Sequence, residues 1–215
     1  MVAYAAQAQP AKPTQGSTAS MLTLGAKIKN KKINMTNDLF TELLLKGECN
    51  TVDYKTIPYF SKTENKLSKD QDAEFIKDIL SFTNTVRDES AYIILGVKTE
   101  NGKAIPIGID ENESIDNSIL QNKIKDKVDP VPNFSCFPFW DSEGRRFDII
   151  EIPVTWYPKP CLPLNSSGGI LEKGQIYVRR DSSNQKASYE ETVKVKAWLD
   201  SITQLAQLQS RSRQK

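Results

Sequence analysis

EFIKDILSFTNTVRDESAYIILGV, residues 74–97, decides the fold. Phe75, Ile76, Ile79, Leu80 and Phe82 recur at helical spacing, with Lys77 and Asp78 on the other side, so the first half reads as an amphipathic helix ending near Asn84. A polar turn at Arg87–Ser90 follows. AYIILGV is too short for a buried helix and rich in β-branched residues, and reads as a strand covered on both faces. Beyond the turn at Glu100-Asn101-Gly102, AIPIGI reads as a second extended piece. The unit is helix, strand, turn, strand.

Working outward toward the N-terminus, Thr36-Asn37-Asp38 supplies capping residues for LFTELLLKG, a short first helix stopped at Gly47. Glu48 follows, then VDYK, whose alternation suits a strand with one covered face. Glu48, Asp53 and Lys55 therefore gather at a helix exit and on one strand face. Residues 61–72 read as a polar surface loop. Residues 1–36, rich in Ala, Gln, Pro, Ser and Thr, read as a flexible low-complexity arm. Its Lys27, Lys29, Lys31 and Lys32 are a basic cluster for phosphates or a plain solvated linker.

Toward the C-terminus, Ile115, Ile119, Ile124 and Val128 suggest a helix stopped by Asp129-Pro130-Val131-Pro132. FSCFPFW and RFDIIEIPV read as strands joined through Asp141–Gly144, and Pro138 places the first at an edge or bulge. GQIYVRRDSSNQKAS is a strand entering a polar loop, and SYEETVKVKAWLDSI a Ser-capped helix. The expected architecture is α+β: a single domain over residues 37–203 with a mixed or antiparallel sheet and packed helices, followed by a short basic tail over 204–215.

The 215 residues are 38% hydrophobic and 26% charged, with 29 Lys and Arg against 27 Asp and Glu. That formal charge of +2 creates no global field, so any nucleic-acid surface is local. Three scattered cysteines point to a reducing compartment and away from paired zinc-ligand spacing. No apolar run approaches a membrane span, and no apolar region precedes Ala6-Gln7-Ala8 as in a signal peptide, so an intracellular, cytoplasmic chain is expected.

The absence of histidine removes the usual general base and every Ser-His or Cys-His pair. No GxxxxGK[ST] or GxGxxG phosphate loop occurs. Carboxylate chemistry or binding remains. Glu48 and Asp53, with a third acid such as Glu100, could hold magnesium or manganese, although acids flanking a strand are ordinarily just solvated. Lys55 could neutralise a phosphate or pair with Asp53. Arg179 and Arg180, entering a loop with Ser182 and Asn184, offer guanidinium forks and polar donors for phosphate oxygens; adjacent strand residues face opposite ways, so one of the pair faces a given groove. Arg145 and Arg146 form a second pair. Trp140, Trp156, Tyr157 and Tyr177 could stack on bases or pack on the sheet.

The order ECNTVDYK, FIKDILSFTNT, AYIILGV with GKAIPIGI, VDPVP, FDIIEIPV, YPKPCL and IYVRRDSSNQKAS resembles the Schlafen AlbA-type domain family over about residues 40–200. The resemblance implies nucleic-acid binding, with Lys55, Arg179, Arg180, Ser182 and Asn184 as contact residues on RNA or DNA. In the related Schlafen endoribonucleases the first-motif acids and an acid after the GV strand form a metal-dependent site. By position these are Glu48 and Asp53, which would then hold Mg2+ or Mn2+. Asp53 stands where the family usually has glutamate, and Lys98-Thr99 where those nucleases have aspartate, leaving Glu100 as the nearest third acid. The family's double glycine is Ser90-Ala91 here, and the glycine after YxR is replaced around Arg180-Asp181. Three readings follow in order: a binding module, a divalent-metal-dependent endoribonuclease, and a protein-interaction domain. The resemblance also implies a second lobe, which a homodimer would supply.

Overall fold

The computed structural model describes residues 35–60 and 69–212. The expected arm, its lysine cluster and most of the loop over residues 61–72 lie outside the described residues. The first helix, α1 (Asn37–Lys46), starts at Thr36, whose hydroxyl accepts the Leu39 N–H at 3.2 Å. Strand β1 (Val52–Lys55) follows, and then α2 (Lys69–Thr83), β2 (Ala91–Leu95), and the hairpin of β3 (Val97–Glu100) and β4 (Lys103–Pro106). The remaining elements are α3 (Asn117–Ile124), β5 (Val128–Asp129), β6 (Ser135–Trp140), β7 (Arg146–Ile152), β8 (Leu162–Pro163), β9 (Tyr177–Arg180), β10 (Ser183–Lys186) and α4 (Tyr189–Ser212).

The chain is a single α+β domain around a four-stranded mixed sheet, in the order β1-β2-β7-β6. β1 runs parallel to β2, and the other two pairings are antiparallel. Both faces of β2 are covered, as AYIILGV implies. Ile93 and Leu95 join Phe75, Ile76, Ile79, Leu80 and Phe82 of α2 on one face. Tyr92 and Ile94 join Phe40 and Leu43 of α1 on the other, where the Phe40 ring centroid lies 4.7 Å from that of Phe147. The period-2 alternation of the strand thus divides the core into two layers.

Gly96 carries the chain from β2 into the β3–β4 hairpin at φ 98°, and a Cβ there would meet the carbonyl carbon of Gly108 at 2.9 Å. Its own carbonyl accepts the N–H groups of Ile107 and Gly108, both at 2.9 Å. AIPIGI therefore ends its strand at Pro106 and folds back on Gly96.

Several expectations need correction. Residues 69–72 of the expected loop open α2, and α4 runs through the expected tail as far as Ser212. The helix sought from Ile115 to Val128 spans only Asn117–Ile124, because the Asp116 carboxylate caps it through the Ser118 N–H and the Ile115 N–H donates to Asp148 instead. Val128 belongs to β5. The polar side of α2 is also covered: Asp78 is buried and Lys77 sits over the Tyr177 ring at 5.7 Å, because the β9–β10 hairpin packs there. Among the described residues, the three cysteines are unpaired and no helix is long and apolar enough to cross a membrane.

Candidate functional site

The ECNTVDYK segment turns back on itself. Gly47 ends α1 at φ 73°, and the Glu48 carboxylate then accepts the Tyr54 backbone N–H. The Tyr54 hydroxyl donates to the Leu43 carbonyl at 2.7 Å, tying the end of α1 to β1. Asp53 points to the opposite sheet face from Tyr54 and is buried, although VDYK reads as a strand with one covered face. Its cover comes from β9.

Arg179 supplies that cover, with a side chain only 1% exposed. Its Nη2 donates to Asp53 Oδ1 at 2.7 Å and to the Val52 carbonyl at 3.3 Å; its Nε donates to the Cys49 carbonyl at 2.6 Å; and its Nη1 donates to Asn184 Oδ1 at 3.1 Å. The guanidinium lies over the Phe82 ring at 4.6 Å. Lys55 Nζ is 3.0 Å from Asp53 Oδ2 and 3.0 Å from Asp78 Oδ2. Asp53 Oδ2 has this ion contact but no aligned hydrogen bond. Tyr59 donates to Asp78 Oδ2 at 2.5 Å, and the Asn184 amide donates to Asp78 Oδ1. Glu48, Asp53, Lys55, Asp78, Arg179 and Asn184 thus form one network of three acids and two cations.

Burial, and then the charge of Asp53, push the Glu48 carboxyl above its ordinary range. Burial likewise raises Asp78, with Lys55 opposing and Asp53 adding to it. For Lys55, burial alone would lower the ammonium pKa, but Asp78 and Asp53 together outweigh it and hold the group charged.

Asn84 and Thr85, at the end of α2, fasten β9 from below. Asn84 donates to the carbonyls of Cys161 and Tyr177 at 2.9 and 3.3 Å and accepts the Cys161 N–H at 2.9 Å. The Thr85 hydroxyl accepts the Arg179 N–H at 2.8 Å. Arg87, in the expected polar turn, is buried as well, donating to the carbonyls of Phe82, Glu89 and Pro153. Burial lowers its pKa to about 10.

Arg180 faces outward and grips Glu191 with Nε and Nη2, both at 2.6 Å. Glu191 also accepts the Ser188 N–H at 2.7 Å while the Ser188 hydroxyl accepts the Glu191 N–H at 3.2 Å, a reciprocal cap on α4. Ser182 and Ser183 are exposed beside Asp181, which turns the hairpin at φ 51°. Glu100 is not drawn into the network: it lies exposed on β3, paired with Lys98 of the same strand.

Among the described residues no group of three or more His, Cys, Asp or Glu side chains is placed to hold a metal ion, and Asp53 faces two fixed cations where a hard ion would need further oxygens. Asp78, Tyr59, Asn84 and Thr85 complete the network, and sequence reasoning did not assign them to it. The Asn84-Thr85 pair closing an apolar helix stripe was their visible signal; Asp78 had none, because helical spacing places it on the solvent side.

No curated protein matches the chain. Among solved structures, the N-terminal domain of a RecG-related protein from Nitrosomonas europaea is similar at 16% identity and a TM-score of 0.42, covering 73% of this chain and 95% of that one. A family model described as "Schlafen, AlbA_2" matches residues 48–188, from the first acid of the network to the serine that caps α4. The chain belongs to the Schlafen, AlbA_2 family.

Proposed function

We propose that this chain is a nucleic-acid-binding module whose β9–β10 hairpin contacts the phosphate backbone. The observation that carries the reading is how the hairpin is held. Its base is fixed by Thr85, Asp53 and Asp78, while Arg180, Ser182, Ser183 and Lys186 stay on the solvent side. Arg179 and Asn184 act as positioning residues. Arg180 exchanges Glu191 for a phosphate, which presents the same paired oxygens to its fork. Lys55, with its side chain one-third exposed, adds a cation beside the hairpin base. Family membership supports the reading.

The test incubates the protein with labelled single-stranded RNA, structured RNA and duplex DNA, with manganese or EDTA, and reads mobility and cleavage together. A salt-sensitive shift is expected, with Arg180→Ala and Lys186→Ala each weakening binding across all sequences and lowering the salt slope by about one. No shift at low salt would favour the protein-interaction reading. Manganese-dependent cleavage lost in Glu48→Ala and Asp53→Ala would place the endoribonuclease reading first. Two facing copies would flank a nucleic acid with two such hairpins, and sedimentation at working concentration reads whether they pair.

A further inference from the structure

Trp140 is 54% exposed at the end of β6, the far edge of the sheet from β1. It pairs in register with Arg146, whose guanidinium carbon lies 5.5 Å from the indole centroid. That guanidinium is held from behind: Nη2 donates to Ser114 Oγ at 2.6 Å and lies 3.5 Å from Asp148 Oδ1, and Nη1 is 3.7 Å from Glu111. The ring is therefore backed by a fixed cation and open to solvent over more than half its surface.

The sheet register relates this ring to the hairpin. Lys55, Leu95, Asp148 and Pro138 form one row across the four strands. Trp140 lies two residues beyond Pro138 and shares its face, so Lys55 and Trp140 occupy the same end of the same sheet face. Three strand spacings of about 4.8 Å separate their strands, roughly 14 Å.

We infer that Trp140, backed by Arg146, is a stacking platform for an unpaired base of a strand whose phosphates lie at the hairpin. A base offers a flat π-face to the exposed side of the ring, and the cation behind it strengthens the stack. A duplex keeps its bases in its own stack, so the platform selects single strands. The inference rests on the phosphate-binding reading above.

The experiment titrates the full chain carrying Trp156→Phe with oligo-dT and with a duplex of equal length, reading tryptophan fluorescence and affinity. Trp198 is buried, its indole N–H bonded to the Arg87 carbonyl, and so reports folding only. Oligo-dT is expected to quench the fluorescence and the duplex to leave it unchanged. Trp140→Ala is expected to weaken oligo-dT binding about five- to hundredfold, as loss of one base stack does, with duplex affinity unchanged. Trp140→Phe keeps a ring and retains most of the binding. Equal oligo-dT affinity in Trp140→Ala, or no quenching in the parent, overturns the platform while leaving the hairpin reading intact. Failure of the parent to bind either nucleic acid overturns both. Should Trp140→Ala fail to fold by circular dichroism, parent quenching and Trp140→Phe affinity decide.

Discussion

Arg179 and Arg180 are neighbours of identical chemistry with opposite surroundings. Arg179→Ala leaves the buried Asp53 with Lys55 as its one remaining cation and strips the Val52 and Cys49 carbonyls of a donor. A loss of about 3–5 kcal/mol is expected in urea unfolding, the usual cost of breaking one side of a buried ion pair. Arg179→Lys should not restore it, since an ammonium cannot serve the same set of acceptors around a planar fork. Glu48 behaves in the opposite sense. Its folded-state pKa is raised above the ordinary 4.5, so between those values the folded chain holds a proton that the unfolded chain has lost. Stability therefore falls as pH rises through that window. Glu48→Gln keeps an acceptor for the Tyr54 N–H and removes the penalty. It should be at least as stable as the parent at pH 7, with a flatter profile on the acid side in thermal melts. Glu191, held down to about 2 by Arg180, has the reverse sign: its contribution is present above pH 4.5 and disappears as pH falls toward 2.

At the scale of elements, both edges of the sheet have partners for their outward groups. On β1 Glu48 accepts the Tyr54 N–H, and the Val52 carbonyl accepts from the Cys49 N–H at 2.9 Å and from Arg179. On β6, Asn117 accepts the Cys136 N–H at 2.8 Å, and Pro138, two residues on, has no N–H to offer. Pro138→Val combined with Asn117→Ala should open a row of donors and produce concentration-dependent association, read by light scattering. The parent under the same conditions is the control. Helix α1, the apolar stripe of α2, β2 and the edge position of Pro138 were legible because each rests on local periodicity or local chemistry. Helix α3 was misjudged because Ile115 and Val128 are apolar for reasons outside the helix: one lies beneath the sheet end and the other pairs with β8. Asp53 and Asp78 looked like surface acids because the arginine and asparagine that bury them come from over a hundred residues away.

Over the whole molecule, the candidate site is a product of closure. The sequence displayed two arginines, several acids and a polar loop, but which arginine turns inward depends on where β9 docks. The docking is set by Asn84 and Thr85, and neither residue announces its partner. The two proposals meet at one end of one sheet face: cations by β1 and a ring by β6. If they act together, doubling the mutations Arg180→Ala and Trp140→Ala should cost oligo-dT binding roughly the sum of the two single losses, as for separated contacts. A strong departure from that sum would mean that the two residues do not contact one strand independently.

The Arg179–Asp53 contact joins positions 126 residues apart. On a ribosome adding 5–20 residues each second, Asp53 emerges on the order of ten seconds before its partner is made. Throughout that interval the nascent chain carries the β1 segment without the arginine that covers its edge. The growing polypeptide is then most exposed to pairing with a neighbour on the same message, and a chaperone has the most to shield.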